Sequence, residues 1–411
     1  MTATGEIGNP GPQQNSTPPQ RDSATGPQSS TVRGWLGVAA ATGGTFVVVT
    51  AEMLPVGLLT PMSRALHVSE GAIGLSLTVT GLMAAISAPL LTAWLARFDR
   101  RWILTTLMAL LSAANLLAAV TPSFAGLLAA RVLIGLTMGG VWSLAPGVAM
   151  RVAPPARTAT AMSLVFSGVA AASVLGVPAG TYLAVALGWR AAFTATAACA
   201  LLITLAFATL LPRLPAERVT PLRGILTLAT TSAVRTPLLV IAFLVTAHFA
   251  AYTYIRPVLE STSHATPTTI GTLLLIYGIA GITGNFLSGA TSAHSPRHTL
   301  IVITTVLAAT VLSIPTLATT PLLAAILLIL WGLAYGGVSV ATQTWLFDAA
   351  PTHRESVASL FTAVFNAAIA SGALLGGLAT DHLTPTAPMW LAPTLTLTAL
   401  LTAALARPAA R

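Results

Sequence analysis

The 411-residue chain has no lysine, one cysteine (Cys199) and only ten acidic residues. Charged residues make up 7% of it, against about 25% in an ordinary soluble protein. So little charge cannot cover a surface that faces water, which excludes a pair of soluble domains despite the length. One cysteine excludes an internal disulfide framework and any multi-cysteine metal site. Without lysine, the phosphate-binding loop G-x-x-x-x-G-K-[ST] cannot be written, so ATP as an energy source has no motif here.

What is present is apolar length. Hydrophobic residues reach 55% and the mean hydropathy is +0.83. Twelve stretches of about 20 residues, each long enough to cross a bilayer as a helix, are expected at 34–59, 71–95, 102–120, 125–148, 159–185, 191–211, 237–255, 269–291, 299–317, 321–346, 357–380 and 387–405. The fold class is therefore all-α and integral to a membrane. Residues 1–33, rich in Pro, Gly, Ser, Thr and Gln, read as a disordered cytoplasmic tail. They lack the apolar core of a signal peptide. Residues 34–211 form one six-helix half, 212–236 a cytoplasmic linker, 237–405 a second six-helix half and 406–411 a short cytoplasmic tail.

The net charge of +9 comes from 19 basic residues, all arginine. With the N-terminus inside, fifteen arginines fall on the cytoplasmic side and only Arg64, Arg190 and Arg256 outside, with Arg131 inside a span. This is the bias that orients membrane proteins. It accounts for the basicity, so no nucleic-acid partner is expected. The partners expected are a lipid bilayer, protons and a small-molecule substrate, and the chain is expected to work as a monomer.

The halves repeat at an offset of 196–197 residues. Gly135-Leu-Thr-Met-Gly-Gly-Val141 returns as Gly332-Leu-Ala-Tyr-Gly-Gly-Val338, and Val49-Thr-Ala-Glu52 returns as Val245-Thr-Ala-His248. Gly176 and Gly180 correspond to Gly372 and Gly376. A parallel repeat of six helices is the plan of transporters whose halves rock about a site near the midplane.

Ionisable residues inside spans are costly and point to function. Three lie well inside: Glu52, Arg131 and His248. Glu52 and Arg131 sit at equal depth, roughly 8 Å outward of the centres of their helices by helix rise. They are expected to form an ion pair, either a permanent structural bridge or a switch that lets Glu52 take up a proton when the pair separates. His248, the repeat counterpart of Glu52, reads either as a hydrogen-bonded neutral imidazole or as a second titrating or ligand-binding group. Tyr252 and Tyr254 line a cavity or belong to an interfacial belt. Asn285, Gln343 and Asn366, with Trp142 and Tyr335, either join neighbouring helices or read a substrate. Gly168, Gly176 and Gly180, with Pro178 between the last two, allow a close and bendable helix contact, for packing alone or for motion.

These residues resemble the major facilitator superfamily over essentially all of 34–405. The loop Ala96-Arg97-Phe98-Asp99-Arg100-Arg101 is similar to that superfamily's cytoplasmic loop motif, with Ala96 where the family has Asp and Asp99 where it has Gly. Arg131 with Gly135 resembles the helix-4 motif tied to proton coupling, and Ser167-Gly168 through Gly176-Val177-Pro178-Ala179-Gly180 resembles the helix-5 motif of antiporters. Thr50-Ala-Glu52-Met-Leu-Pro55, Gly188-Trp-Arg190 and His248-Phe-Ala-Ala-Tyr252-Thr-Tyr254-Ile-Arg256-Pro257 resemble the twelve-helix drug–proton antiporter branch, which holds chloramphenicol-resistance, sugar-efflux and purine-efflux proteins. The resemblance implies proton-coupled export of a small amphipathic compound, such as an antibiotic of the chloramphenicol type, by alternating access in a bacterial inner membrane. Glu52 is then the membrane acid. It implies no cofactor or metal beyond the proton gradient. A facilitator or symporter for a sugar, nucleobase or other metabolite shares the fold. An enzyme finds too few reactive groups in the spans.

Overall fold

The computed structural model describes residues 1–2, 28–94, 98–154, 157–215 and 228–406. Among the described residues it is a bundle of helices without strands, and twelve helices are long and apolar enough to cross a membrane. In chain order they are α1 (Gln28–Leu66), α2 (Glu70–Trp94), α3 (Arg100–Val120), α4 (Phe124–Val152), α5 (Thr158–Ala171, Ala172–Gly176 and Val177–Leu187 end to end) and α6 (Trp189–Leu210). The second half follows with α7 (Ser232–Tyr252, extended by Ile255–Thr262), α8 (Pro267–Ser292), α9 (Pro296–Leu317), α10 (Pro321–Gly336 with Val338–Ala349), α11 (Arg354–His382) and α12 (Ala387–Leu405).

The spans fall where hydropathy puts them, but several helices run past the apolar stretch. α1 starts six residues before Gly34 and continues through Pro61 to Leu66. α7 starts at Ser232, inside the expected linker. The tail reading over 3–27, the linker over 216–227 and the end of the chain over 407–411 lie outside the described residues, as does Arg97 of the loop motif.

Small residues bring the helices together. On α5, a methyl group on Gly168 would strike the backbone of Thr42, one on Gly176 would strike Thr50 Oγ1, and one on Gly180 would strike Leu54. All three therefore face α1. The repeat does the same on α11: Gly372 abuts the Thr246 carbonyl and Gly376 that of Ala250, both on α7. Thr246 and Ala250 are the repeat counterparts of Thr50 and Leu54, so the sequence duplication is also a duplication of packing. Without a hydrophobic drive between helices in lipid, close backbone approach of this kind is what holds the bundle. Just before Pro178, α5 passes through the π turn Ala172–Gly176, a local widening at the place where proline removes a backbone donor.

The polar residues at helix ends are used as caps and ties. Asp99 caps α3 by accepting from the Arg101 amide at 2.9 Å and also accepts from the Leu214 amide at 3.0 Å. The acid that replaces a glycine of the loop motif thus anchors the start of the linker. Arg100 is buried, and its amide donates to the Leu214 carbonyl at 2.9 Å. Arg101 donates to the Ala208 carbonyl at the end of α6, and its counterpart Arg297 donates to Ala403 and Ala404 at the end of α12 at 2.8 and 2.6 Å.

The two halves are tied at the end of the bundle remote from both chain termini. There Ser69 Oγ and the Gly71 amide at the start of α2 donate to the Asp381 carboxylate at the end of α11, at 2.5 and 3.0 Å. Tyr182 of α5 bonds Thr272 of α8 at 2.7 Å. The expected outcome of Gly372→Val is a loss of about 1–3 kcal/mol from overpacking, read as a lower unfolding temperature of the detergent-solubilised protein. Gly281→Ala, where a methyl meets only the Gly332 carbonyl at 3.7 Å, should leave that temperature unchanged.

Candidate functional site

Arg131, on α4, is fully buried. Its Nη1 donates to the Ala51 carbonyl at 2.7 Å, its Nη2 to the Glu52 carbonyl at 2.8 Å and its Nε to the Ser76 carbonyl of α2 at 3.1 Å. The first of these acceptors exists because of Pro55. A helix carbonyl normally binds the amide four residues on, and proline has none. Ala51 is therefore left with a free carbonyl, and Arg131 fills it. In the C-terminal half neither member is present, since Leu328 stands at the repeat position of Arg131 and Ala251 at that of Pro55.

The expected ion pair is corrected by this geometry. Arg131 is bound to the backbone of Glu52, and no hydrogen bond joins its guanidinium to the Glu52 carboxylate. Glu52 is 4% exposed, and its Oε1 is buried with no hydrogen-bond partner. Its carboxyl lies within electrostatic reach of Arg131 and of the Tyr335 phenol of α10. Equal depth brings the two residues together, but the guanidinium spends its hydrogen bonds on backbone carbonyls and not on the carboxylate.

In the other half the corresponding position holds His248 in a stack of rings. Tyr335 lies over the imidazole at a centroid distance of 3.3 Å and 7° between planes, and Tyr252 is also stacked with it at 5.0 Å. Tyr277 continues the stack at 4.8 Å from Tyr252. Trp331 meets the cluster edge-on, and its Nε1 donates to His248 Nδ1 at 3.0 Å. An indole nitrogen can only donate, so Nδ1 carries a lone pair and the imidazole is neutral. This favours the hydrogen-bonded reading of His248 over the titrating one.

None of these four rings is repeated in the N-terminal half. Tyr252, Tyr277, Trp331 and Tyr335 correspond to Val56, Thr80, Ile134 and Met138. Tyr277 and Trp331 are absent from the sequence-derived site. The signal that could have found them is a polar-headed aromatic in mid-span, away from the interfaces where such residues usually sit.

The remaining candidates divide. Trp142 Nε1, Tyr335 Oη and Asn366 Oδ1 are, like Glu52 Oε1, buried without a partner, while Asn366 Nδ2 donates to Thr362 at 2.9 Å. Asn285 and Gln343 are half-buried, each about two turns from the rings on its own helix. Tyr254, read as a cavity lining or part of an interfacial belt, is placed as a structural strut. It is fully buried, donates to the Ala373 carbonyl of α11 at 2.8 Å, and occupies the space beside Gly74 and Gly376. Trp331→Phe should leave the His248 acceptor buried and unpaired, lowering stability by about 1–3 kcal/mol, measured as a shift in thermal unfolding.

A sequence profile of the Major Facilitator Superfamily matches residues 41–263 and again 238–411, so the match itself is doubled. The purine ribonucleoside efflux pump NepI of Salmonella paratyphi B is 33% identical over 361 residues, covering 88% of this chain and 91% of that protein. NepI of Escherichia coli O1:K1 is 33% identical over 358 residues, covering 87% and 90%. Among solved structures, a bacterial homologue of the human lysosomal transporter Spinster in an inward-facing, occupied conformation superposes with a TM-score of 0.72 at 16% identity, covering 90% of this chain and 96% of the other. A point mutant of the nucleoside transporter NupG superposes with a TM-score of 0.71 at 12% identity, covering 91% and 100%. The doubled profile, the twelve helices and these relatives agree: the chain belongs to the Major Facilitator Superfamily and is a membrane transporter rather than an enzyme.

Proposed function

We propose that the chain is a proton-coupled exporter of flat, amphipathic compounds of the purine-ribonucleoside class, working by alternating access as a monomer with both termini in the cytoplasm. The observation that carries the substrate class is the stack of Tyr335, His248, Tyr252 and Tyr277, a column of rings that a heterocyclic base can extend by stacking on an end ring. Glu52, Trp142, Tyr335 and Asn366 each carry a buried polar atom without a partner, and in this reading those atoms, drawn from both halves, meet the ring edge and the sugar hydroxyls when substrate is bound. The relatives' names support the same class. A chloramphenicol-type antibiotic, whose nitrophenyl ring is planar and whose side chain is polar, is the second candidate for the same stack.

The coupling follows from Glu52. A carboxyl buried in a span without a hydrogen-bond partner is a group whose proton changes hands as its surroundings change. Arg131 is already bound to backbone carbonyls, so it stays in place while Glu52 exchanges a proton. Substrate enters from the cytoplasm between the halves, and a proton reaching Glu52 from outside displaces it or resets the carrier. One proton moving inward through 100 mV releases about 2.3 kcal/mol, and one pH unit adds about 1.4 kcal/mol. Together, about 3.7 kcal/mol sustain a gradient of several hundred-fold.

Proteoliposomes loaded at acid pH and diluted into alkaline buffer test this reading. They should accumulate radiolabelled adenosine above equilibrium, with chloramphenicol scored as a competitor, and Glu52→Gln should abolish the accumulation while the protein still purifies folded. Adenosine that only equilibrates makes the chain a facilitator; undiminished accumulation by Glu52→Gln removes Glu52 from coupling.

A further inference from the structure

At the end where the halves are tied, the Thr60 hydroxyl of α1 lies between two acidic side chains. It is 2.8 Å from Glu70 Oε1 of α2 and 2.9 Å from Glu260 Oε2 on the extension of α7. Thr60 is 5% exposed, and both acids are half-buried. Glu260 is paired with Arg256 at 2.9 Å, and Arg256 reaches across to the Gly57 carbonyl at 2.5 Å. That carbonyl is free because Pro61, four residues on, has no amide to offer.

A hydroxyl has one proton to donate and lone pairs to accept with. Two contacts this short, to oxygens of two different carboxylates, cannot both be donated by Thr60. The second needs a proton on one of the acids, which then donates to the Thr60 oxygen. The closed geometry therefore holds one proton more than two ionised acids would. If the halves separate, both carboxylates face water and the requirement disappears.

We propose that Glu70, Thr60 and Glu260 form a second proton-binding site, separate from Glu52, in which one shared proton latches the outer end of the transporter shut. The other charged and titratable groups around it are Arg64 on α1, Arg256 on the α7 extension, Tyr254, and Asp381 of α11, which is engaged by Ser69 and Gly71. His67 and His264 stand exposed in the adjoining loops. Arg256 answers one negative charge of the acid pair, and the shared proton removes the other. In an exporter the sense is useful, since a proton arriving from outside closes the outer gate behind it. The proposal rests on the proposed function only for the topology that makes this end the outer one and for the use of the latch in export; the latch itself is tested without substrate.

The sign follows from the proton count: the closed state binds the extra proton, so falling pH favours closure. The ratio of closed to open should rise by up to about tenfold per pH unit, the limit for one proton. Spin labels placed by Leu187→Cys and Leu322→Cys, in a Cys199→Ala, Glu52→Gln protein in liposomes, report the distance across that end. Between about pH 8 and about pH 5, the short-distance population should grow in this background, become pH-independent and closed on adding Glu70→Gln, and lose its pH dependence on adding Thr60→Val. A distance distribution that does not respond to pH, or a response that survives both substitutions, overturns the proposal. Glu52→Gln is present throughout, so failure here leaves the transport reading untouched, and failure of coupled transport leaves the latch result intact.

Discussion

A guanidinium buried in a bundle surrounded by lipid must find its compensation among protein atoms. Arg131 finds it in backbone carbonyls, one of which is available only because Pro55 removes the amide that would otherwise claim it. This single arrangement fixes α4 against α1 and, through Ser76, against α2. It also explains why a proline can sit in the middle of the longest helix of the chain without breaking it. Most important, it frees the Glu52 carboxyl from any permanent partner. Pro61, the Gly57 carbonyl and Arg256 repeat the device between the halves. Prolines in α1 thus act as sources of acceptors, and arginines from other helices use them.

The duplicated scaffold carries two different chemistries. The glycine contacts of α5 on α1 and of α11 on α7 are the same contacts at an offset of 196 residues. What differs is the lining. The N-terminal half holds the acid and the buried cation, the C-terminal half a neutral histidine among aromatic rings. A coupled transporter needs a group that exchanges protons and a surface that recognises substrate. In the proposed reading each half supplies one, and the Glu52 carboxyl and the Tyr335 phenol are within electrostatic reach of each other.

Much of this is legible in the sequence. Hydropathy marks twelve spans, the repeat marks two halves, and the glycines of α5 lie on the face that their spacing implies. Depth along each helix follows from counting residues, and it brings Glu52 and Arg131 together. The direction in which each side chain points does not, since span boundaries uncertain by a few residues leave the azimuth of a helix undetermined. For that reason depth alone pairs the carboxylate with a guanidinium that in fact binds carbonyls, and leaves Tyr254 between a cavity and an interfacial belt when it packs against α11. Trp331 and Tyr277 escape notice because an aromatic ring in an apolar span looks like packing until its partner is known. Pro55 stands within a recognisable motif; its meaning appears only with the acceptor it exposes.

The central claim is that substrate and a proton on Glu52 compete. Titration calorimetry of adenosine into the purified protein, in buffers of differing protonation enthalpy, measures it directly. The wild type should release about one proton per bound nucleoside and Glu52→Gln none. Equal proton release by the two proteins, or none by the wild type, would contradict it.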